Sequence, residues 1–153
     1  MANSQAMCTS FKAELMQGMH VFSATNPSRT VNTADTFKAA LYTAASSLGA
    51  GTTTYSGATT EVTGTNYTAG GVSISGWNTP TTSGTTGFTT PTASFAWTTV
   101  TLSTAFDCVL VYNSSQSGKA VSVHIFGSQT VSAGNFTLTM PTNAAGTALL
   151  NIA

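Results

Sequence analysis

Residues 94–126 read SFAWTTVTLSTAFDCVLVYNSSQSGKAVSVHIF, a run of β-branched and aromatic residues broken by one polar turn. Such residues suit a pleated, half-buried backbone, so the run predicts strands over Ser94–Leu102, Cys108–Tyr112 and Ala120–Phe126. The six residues 113–118, NSSQSG, carry turn chemistry and make the last two strands a hairpin. Successive strand residues point to opposite faces, which sets Val121, Val123 and Ile125 against Ser122, His124 and Phe126.

Outward from this stretch, Phe136–Met140 (FTLTM) and Ala148–Ile152 (ALLNI) read as further short strands. Upstream, Thr36–Ala44 places Phe37, Ala39, Leu41 and Thr43 on one face of a half-buried strand, and Val72–Ser75 gives a brief alternation. Glycines 49, 51, 57, 64, 70 and 71 punctuate residues 46–71, which predicts loops with at most one short strand. Residues 78–92 carry Pro80, Gly84, Gly87 and Pro91 and predict a surface loop. Near the start, Phe11, Leu15, Met19 and Phe22 recur at helical spacing over 9–22, with Thr9 or Ser10 to cap the helix. Residues 23–35 read as a connecting loop. No period of 20–50 residues recurs, so propellers and solenoids lose ground. The expected architecture is all-β, a β-sandwich or jelly-roll-like fold with a short N-terminal α-helix. It forms one domain over 1–153, with a helical segment at 8–22 and the sandwich at 36–153.

Of the 153 residues only 5% are charged and 41% are hydrophobic, against about 25% charged in an ordinary soluble domain. Thr, Ser, Gly and Asn must cover the surface. The four basic residues, Lys12, Arg29, Lys38 and Lys119, are scattered, whereas phosphate binding needs them clustered; nucleic acid is not an expected partner. No apolar stretch approaches the roughly 20 residues of a membrane span, so no membrane association is expected. The N-terminus lacks the features of a signal peptide, which predicts synthesis in a cytoplasm. Cys8 and Cys108 stand far apart, and a reducing origin predicts two buried free thiols. A formal net charge of zero, combined with abundant apolar residues, predicts self-association as a homo-dimer or homo-trimer.

Chemistry is sparse. His20, His124, Glu14, Asp35, Glu61 and Asp107 form no metal-ligand motif, and His124 is expected to be packed or solvent-facing. There is no G-x-S-x-G elbow and no phosphate-binding glycine fingerprint. The sequence therefore offers no catalytic, cofactor-binding or metal-ligating set, and the chain is expected not to be an enzyme. The sequons at Asn66, Asn113 and Asn135 are what a chain rich in Asn, Ser and Thr produces by chance. Tyr42, Tyr55, Tyr67, Trp77, Trp97 and Tyr112 could build a sugar-binding platform, but strand-like surroundings favour core and interface roles.

Three segments carry a resemblance: CTSFKAELMQGMHVF (8–22), DTFKAALYTAASSLGAGTTTYSGATTEVTGTNYTAGG (35–71) and VYNSSQSGKAVSVHIFGSQTVSAGNFTLTMP (111–141). Together they cover most of the chain, and FKAALYT, EVTGTNYTAGG and VYNSS are their more specific phrases. In these the chain resembles small tailed-bacteriophage virion proteins, most closely capsid cement (decoration) proteins. The resemblance implies a virion protein made in the bacterial host cytoplasm, placed on the capsid surface, and partnered by the major capsid protein and by itself. A neck, tail or fibre-associated virion protein and a carbohydrate-binding β-sandwich module are the alternatives.

Overall fold

A computed structural model describes residues 2–16, 18–23, 33–57 and 60–153. In chain order the elements are β1 (Ala6–Met7), α1 (Thr9–Met16), β2 (Phe37–Thr43), β3 (Val72–Ile74), β4 (Thr81–Ser83), β5 (Thr86–Thr89), β6 (Phe95–Asn113), β7 (Lys119–Leu138) and β8 (Leu150–Ile152). With 47% strand and 5% helix, the fold is all-β with one short N-terminal helix. A five-stranded sheet runs β1-β7-β6-β2-β3 and a three-stranded sheet runs β4-β5-β8, and every pairing is antiparallel.

The hairpin expected around 113–118 forms the centre of the main sheet, but its arms are longer than the sequence suggested. The separate strands expected at 94–102 and 108–112 are one strand, β6, and those expected at 120–126 and 136–140 merge into β7. Register shifts let the pairing pass through the polar residues 103–107 and 127–135: a bulge adds a residue to one strand without ending the ladder.

One shift falls on Thr99 itself, between Trp97 and Val100, and its φ of 50° is left-handed. The Asn135 side-chain oxygen accepts from Thr99 N at 2.9 Å, and Asn66 Nδ2 donates to Thr99 O at 2.8 Å. Two of the three sequon asparagines thus hold one bulge. The third, Asn113, is fully buried.

β2 lies between β6 and β3, and its alternation is hidden because both faces are covered. Ala40 and Tyr42 are as buried as Phe37, Ala39 and Leu41. On one side Phe37 stacks on Phe22 at 4.7 Å and meets Trp77 edge-on at 5.5 Å. On the other, Tyr112 stacks on Tyr55 at 4.5 Å, bringing the loop of residues 44–71 onto the sheet. Among its described residues that loop holds no strand; three isolated bridges, Tyr42 to Glu61, Thr54 to Lys119 and Thr65 to Thr101, tie it to sheet edges.

Two readings need correction. The helix does not reach Phe22: it ends at Met16, before Gly18, whose φ of 68° closes the turn and whose N–H bonds Leu15 O. Phe22 then reaches the core from an extended segment, which is why its spacing mimicked a helical face. The presumed surface loop at 78–92 contains the β4–β5 hairpin, turned by Gly84-Thr85 with Gly84 at φ 58°. Glycine first in a two-residue turn is the type II′ signature. Of the connection expected over 23–35, residues 24–32 lie outside the described residues.

A threonine held left-handed costs roughly 1–2 kcal/mol, which glycine avoids at the expense of about 0.5–1 kcal/mol more unfolded-chain entropy. Thr99→Gly is therefore expected to raise the urea midpoint slightly, while Thr99→Ala, which keeps the strain, does not. A Gly variant less stable than the Ala variant would contradict the strained reading.

Candidate functional site

All four carboxylates accept hydrogen bonds within the fold, Glu14 and Glu61 from buried positions and Asp35 and Asp107 from part-buried ones. Glu61 is 6% exposed. Its Oε2 accepts from Tyr55 Oη at 2.7 Å, and its Oε1 accepts from Tyr67 Oη at 2.9 Å and Gly70 N at 2.7 Å. Gly70 O in turn accepts from Tyr112 Oη at 2.8 Å, and Tyr42 Oη donates to Ser56 O. All four tyrosines of the chain thus surround one carboxylate. Burial, then the Glu61 charge, pushes every phenol above its ordinary value, Tyr112 up to about 12.

A second network crosses the turn end of the β6–β7 hairpin. Lys119 Nζ donates to Glu14 Oε1 at 2.7 Å, and His20 Nε2 lies 2.8 Å from Glu14 Oε2. Asn113 Nδ2 donates to Asp35 Oδ2 at 2.7 Å and lies 3.1 Å from His20 Nδ1. With an amide donor at Nδ1, the imidazole proton sits on Nε2 and points at Glu14. Burial opposes ionisation of Glu14, but the bonds from Lys119 and His20 outweigh it and hold the carboxyl below its usual range. Asp35 also accepts from Val21 N and Gln116 Nε2. Asp107 accepts from Asn3 Nδ2 at 2.7 Å.

An acid, an imidazole and an amide in a row resemble a catalytic relay. Both His20 nitrogens are occupied by fixed partners, however, so neither is free to take a proton from a guest. The neighbouring apolar cavity of about 540 Å³ is lined by Phe11, Leu15, Phe22, Phe88 and Leu150.

His124 lies half-buried on the face shared with Ser122, as the alternation predicted, and Ser122 Oγ is 2.9 Å from its Nε2. The pair borders a cavity of about 420 Å³. Nucleophilic catalysis needs an exposed hydroxyl, a basic imidazole and a group to orient it. Ser122 is 1% exposed, and burial drives His124 down to about 4. Each carboxylate is engaged elsewhere.

Cys8 and Cys108 are fully buried free thiols, raised to about 11 and about 12, by burial first. Among the described residues no group of three His, Cys, Asp or Glu could hold a metal ion, and no helix is long and apolar enough to cross a membrane. Of the six aromatics weighed as a sugar platform, four are buried and Tyr55 and Tyr67 are part-buried. Tyr42, Trp77, Trp97 and Tyr112 are at most 9% exposed, and Tyr55 and Tyr67 spend their hydroxyls on Glu61. No protein-family model, curated protein or solved structure matches the chain.

Two predictions follow from the tyrosine cage. A phenol raised above its unfolded value of 10.0 stabilises the fold fully below pH 10, and that contribution is lost as pH climbs through the folded value. Absorbance at 295 nm should therefore show no tyrosinate near pH 10, and all four phenols should ionise together on alkaline unfolding. Reversible titration of any of them near pH 10 in the folded protein would refute the cage. Glu61→Gln presents an amide N–H₂ to donors, and is expected to lower stability by about 2–3 kcal/mol, more than Tyr55→Phe; equal urea midpoints for Glu61→Gln and the unaltered chain would count against it.

Proposed function

We propose that this chain is a structural protein of a tailed-bacteriophage virion, a capsid cement that bridges neighbouring major capsid subunits and stabilises the closed shell. The observation that carries this reading is that all four carboxylates are engaged by donors within the fold. It leaves an outer surface made mainly of hydroxyls, amides, glycines and a few apolar side chains, with Lys12 as a scattered exposed charge. Such a surface docks by apolar contact and neutral hydrogen bonds, which salt barely screens, and copies of it meet no electrostatic penalty when crowded on a shell. The sequence resemblance to cement proteins points the same way, and the polar segments around 46–71 and 78–92 supply contact surface.

In this role the protein is not an enzyme, and its partners are the major capsid protein and further copies of itself. Each bridge is weak. A cement that binds only the expanded shell shifts the equilibrium towards it by its binding free energy, and many occupied sites multiply the effect.

Heads assembled with and without the protein are expected to differ in the temperature at which DNA escapes, with the decorated heads releasing it later. Equal release temperatures, or micrographs placing the protein only at the tail, would overturn the cement reading in favour of a neck or tail role.

A further inference from the structure

The two edges of the main sheet are finished very differently. At the β3 edge the short strand Val72–Ile74 pairs with residues 37–39, and beyond it Thr43 N bonds Thr60 O and Val62 N bonds Leu41 O, which covers the rest of β2. At the β7 edge the cover stops early. Ala120 N bonds Thr53 O, Cys8 N bonds Val121 O, and β1 pairs with Ser122 and Val123. From His124 to Leu138 no described residue pairs with the outer edge of the strand.

Proteins usually protect such an edge with charge, proline or bulges. Here residues 120–153 contain no Lys, Arg, Asp or Glu, and no proline precedes Pro141. Bulges are the only protection, and they are local. Between the pairs Phe106 to Gln129 and Cys108 to Ile125, β7 gains residues on its partner; it does so again between Val100 to Gly134 and Leu102 to Val131, around left-handed Ala133. The shift next to Thr99 places its extra residue on β6, so β7 itself stays straight over Gly134–Leu138, GNFTL, with Phe95 to Leu138, Ala96 to Thr137 and Trp97 to Phe136 in regular register.

We propose that this open edge pairs antiparallel with the same edge of a second copy, about a two-fold axis at Phe136, so that Asn135 faces the partner's Thr137. Three features favour a second copy over another occupant. The segment is neutral, so two copies approach without repulsion. An antiparallel strand facing itself satisfies an isologous two-fold contact. The bulge at 132–133 ends the straight run on one side and the strand ends on the other, which fixes the register. Because the contact is isologous, each copy spends the same edge on its partner, and the assembly closes as a dimer. The inference rests on the self-association within the proposed function but not on its capsid partner.

The test uses the full chain in solution. Sedimentation is expected to give a dimer. Thr137 is exposed, as is Gln129, and strands advance about 3.4 Å per residue. Thr137→Cys should therefore be bridged between copies by a short bis-maleimide, while Gln129→Cys, roughly 45–50 Å from its mate in this register, should not. Thr137→Lys sets two ammonium groups across the axis and should yield a monomer with unchanged circular dichroism and urea midpoint, whereas Ser128→Lys should remain a dimer. A monomer at high micromolar concentration, crosslinking at 129 without 137, or a dimer indifferent to Thr137→Lys would each overturn the proposal. A dimer of this register that fails to bind capsids would instead sink the cement reading and leave this one standing.

Discussion

The antiparallel pairing of β6 with β7 is the interaction on which the other elements depend. It runs from Phe95 opposite Leu138 to Asn113 opposite Lys119, and it supplies the surface on which the N-terminal segment, β2 and the long loop are laid. The carboxylates fasten those pieces to it. Asp107, on β6, holds Asn3; Asp35 holds Asn113 at the end of β6; Glu14 holds Lys119 at the start of β7; and Glu61 reaches Tyr112 of β6 through Gly70. Asp107, Asp35 and Glu14 thus bond groups distant in sequence directly, and Glu61 reaches one through Gly70.

This use of charge explains the composition. A buried carboxylate is tolerable only where donors replace its water, and the fold provides two or three for each of Glu14, Asp35 and Glu61. The exterior is left mostly to threonine, serine and asparagine, whose hydroxyls and amides hydrate without carrying a field, with Lys12 an isolated exposed charge. Such a molecule gains little from electrostatic steering and little from like-charge repulsion, and its associations depend on shape and on backbone groups.

Much of the strand pattern was legible because β-branched runs and the NSSQSG turn act locally. FKAALYT reads as a strand at sight, and the turn at 113–118 announces its hairpin. Strand lengths were not legible, since the polar residues 103–107 and 127–135 belong to strands only through a partner that accepts bulges. The β4–β5 hairpin was missed because its threonines and glycines look like a loop, although the placing of Gly84 ahead of Thr85 was the available signal. The helix was overextended because Phe22 packs beside Phe11 from a different element. The tyrosine cage and the Glu14–His20–Asn113–Asp35 network were invisible: Asn113 lies 78 residues from Asp35 and 93 from His20, and no local rule joins them.

The position of the hairpin late in the chain has a kinetic consequence. Its strands are adjacent in sequence, so the ladder can zip from its own short turn with little loop entropy to overcome. Residues 2–93, however, leave the ribosome first and find their docking surface absent. The segments bearing Cys8, Phe11, Leu41 and Val62 have no completed core until β6 and β7 have emerged. Tertiary structure is therefore acquired only once β6 and β7 have emerged, and until then the nascent chain exposes the apolar side chains of residues 2–93, the condition in which a chaperone has most to shield.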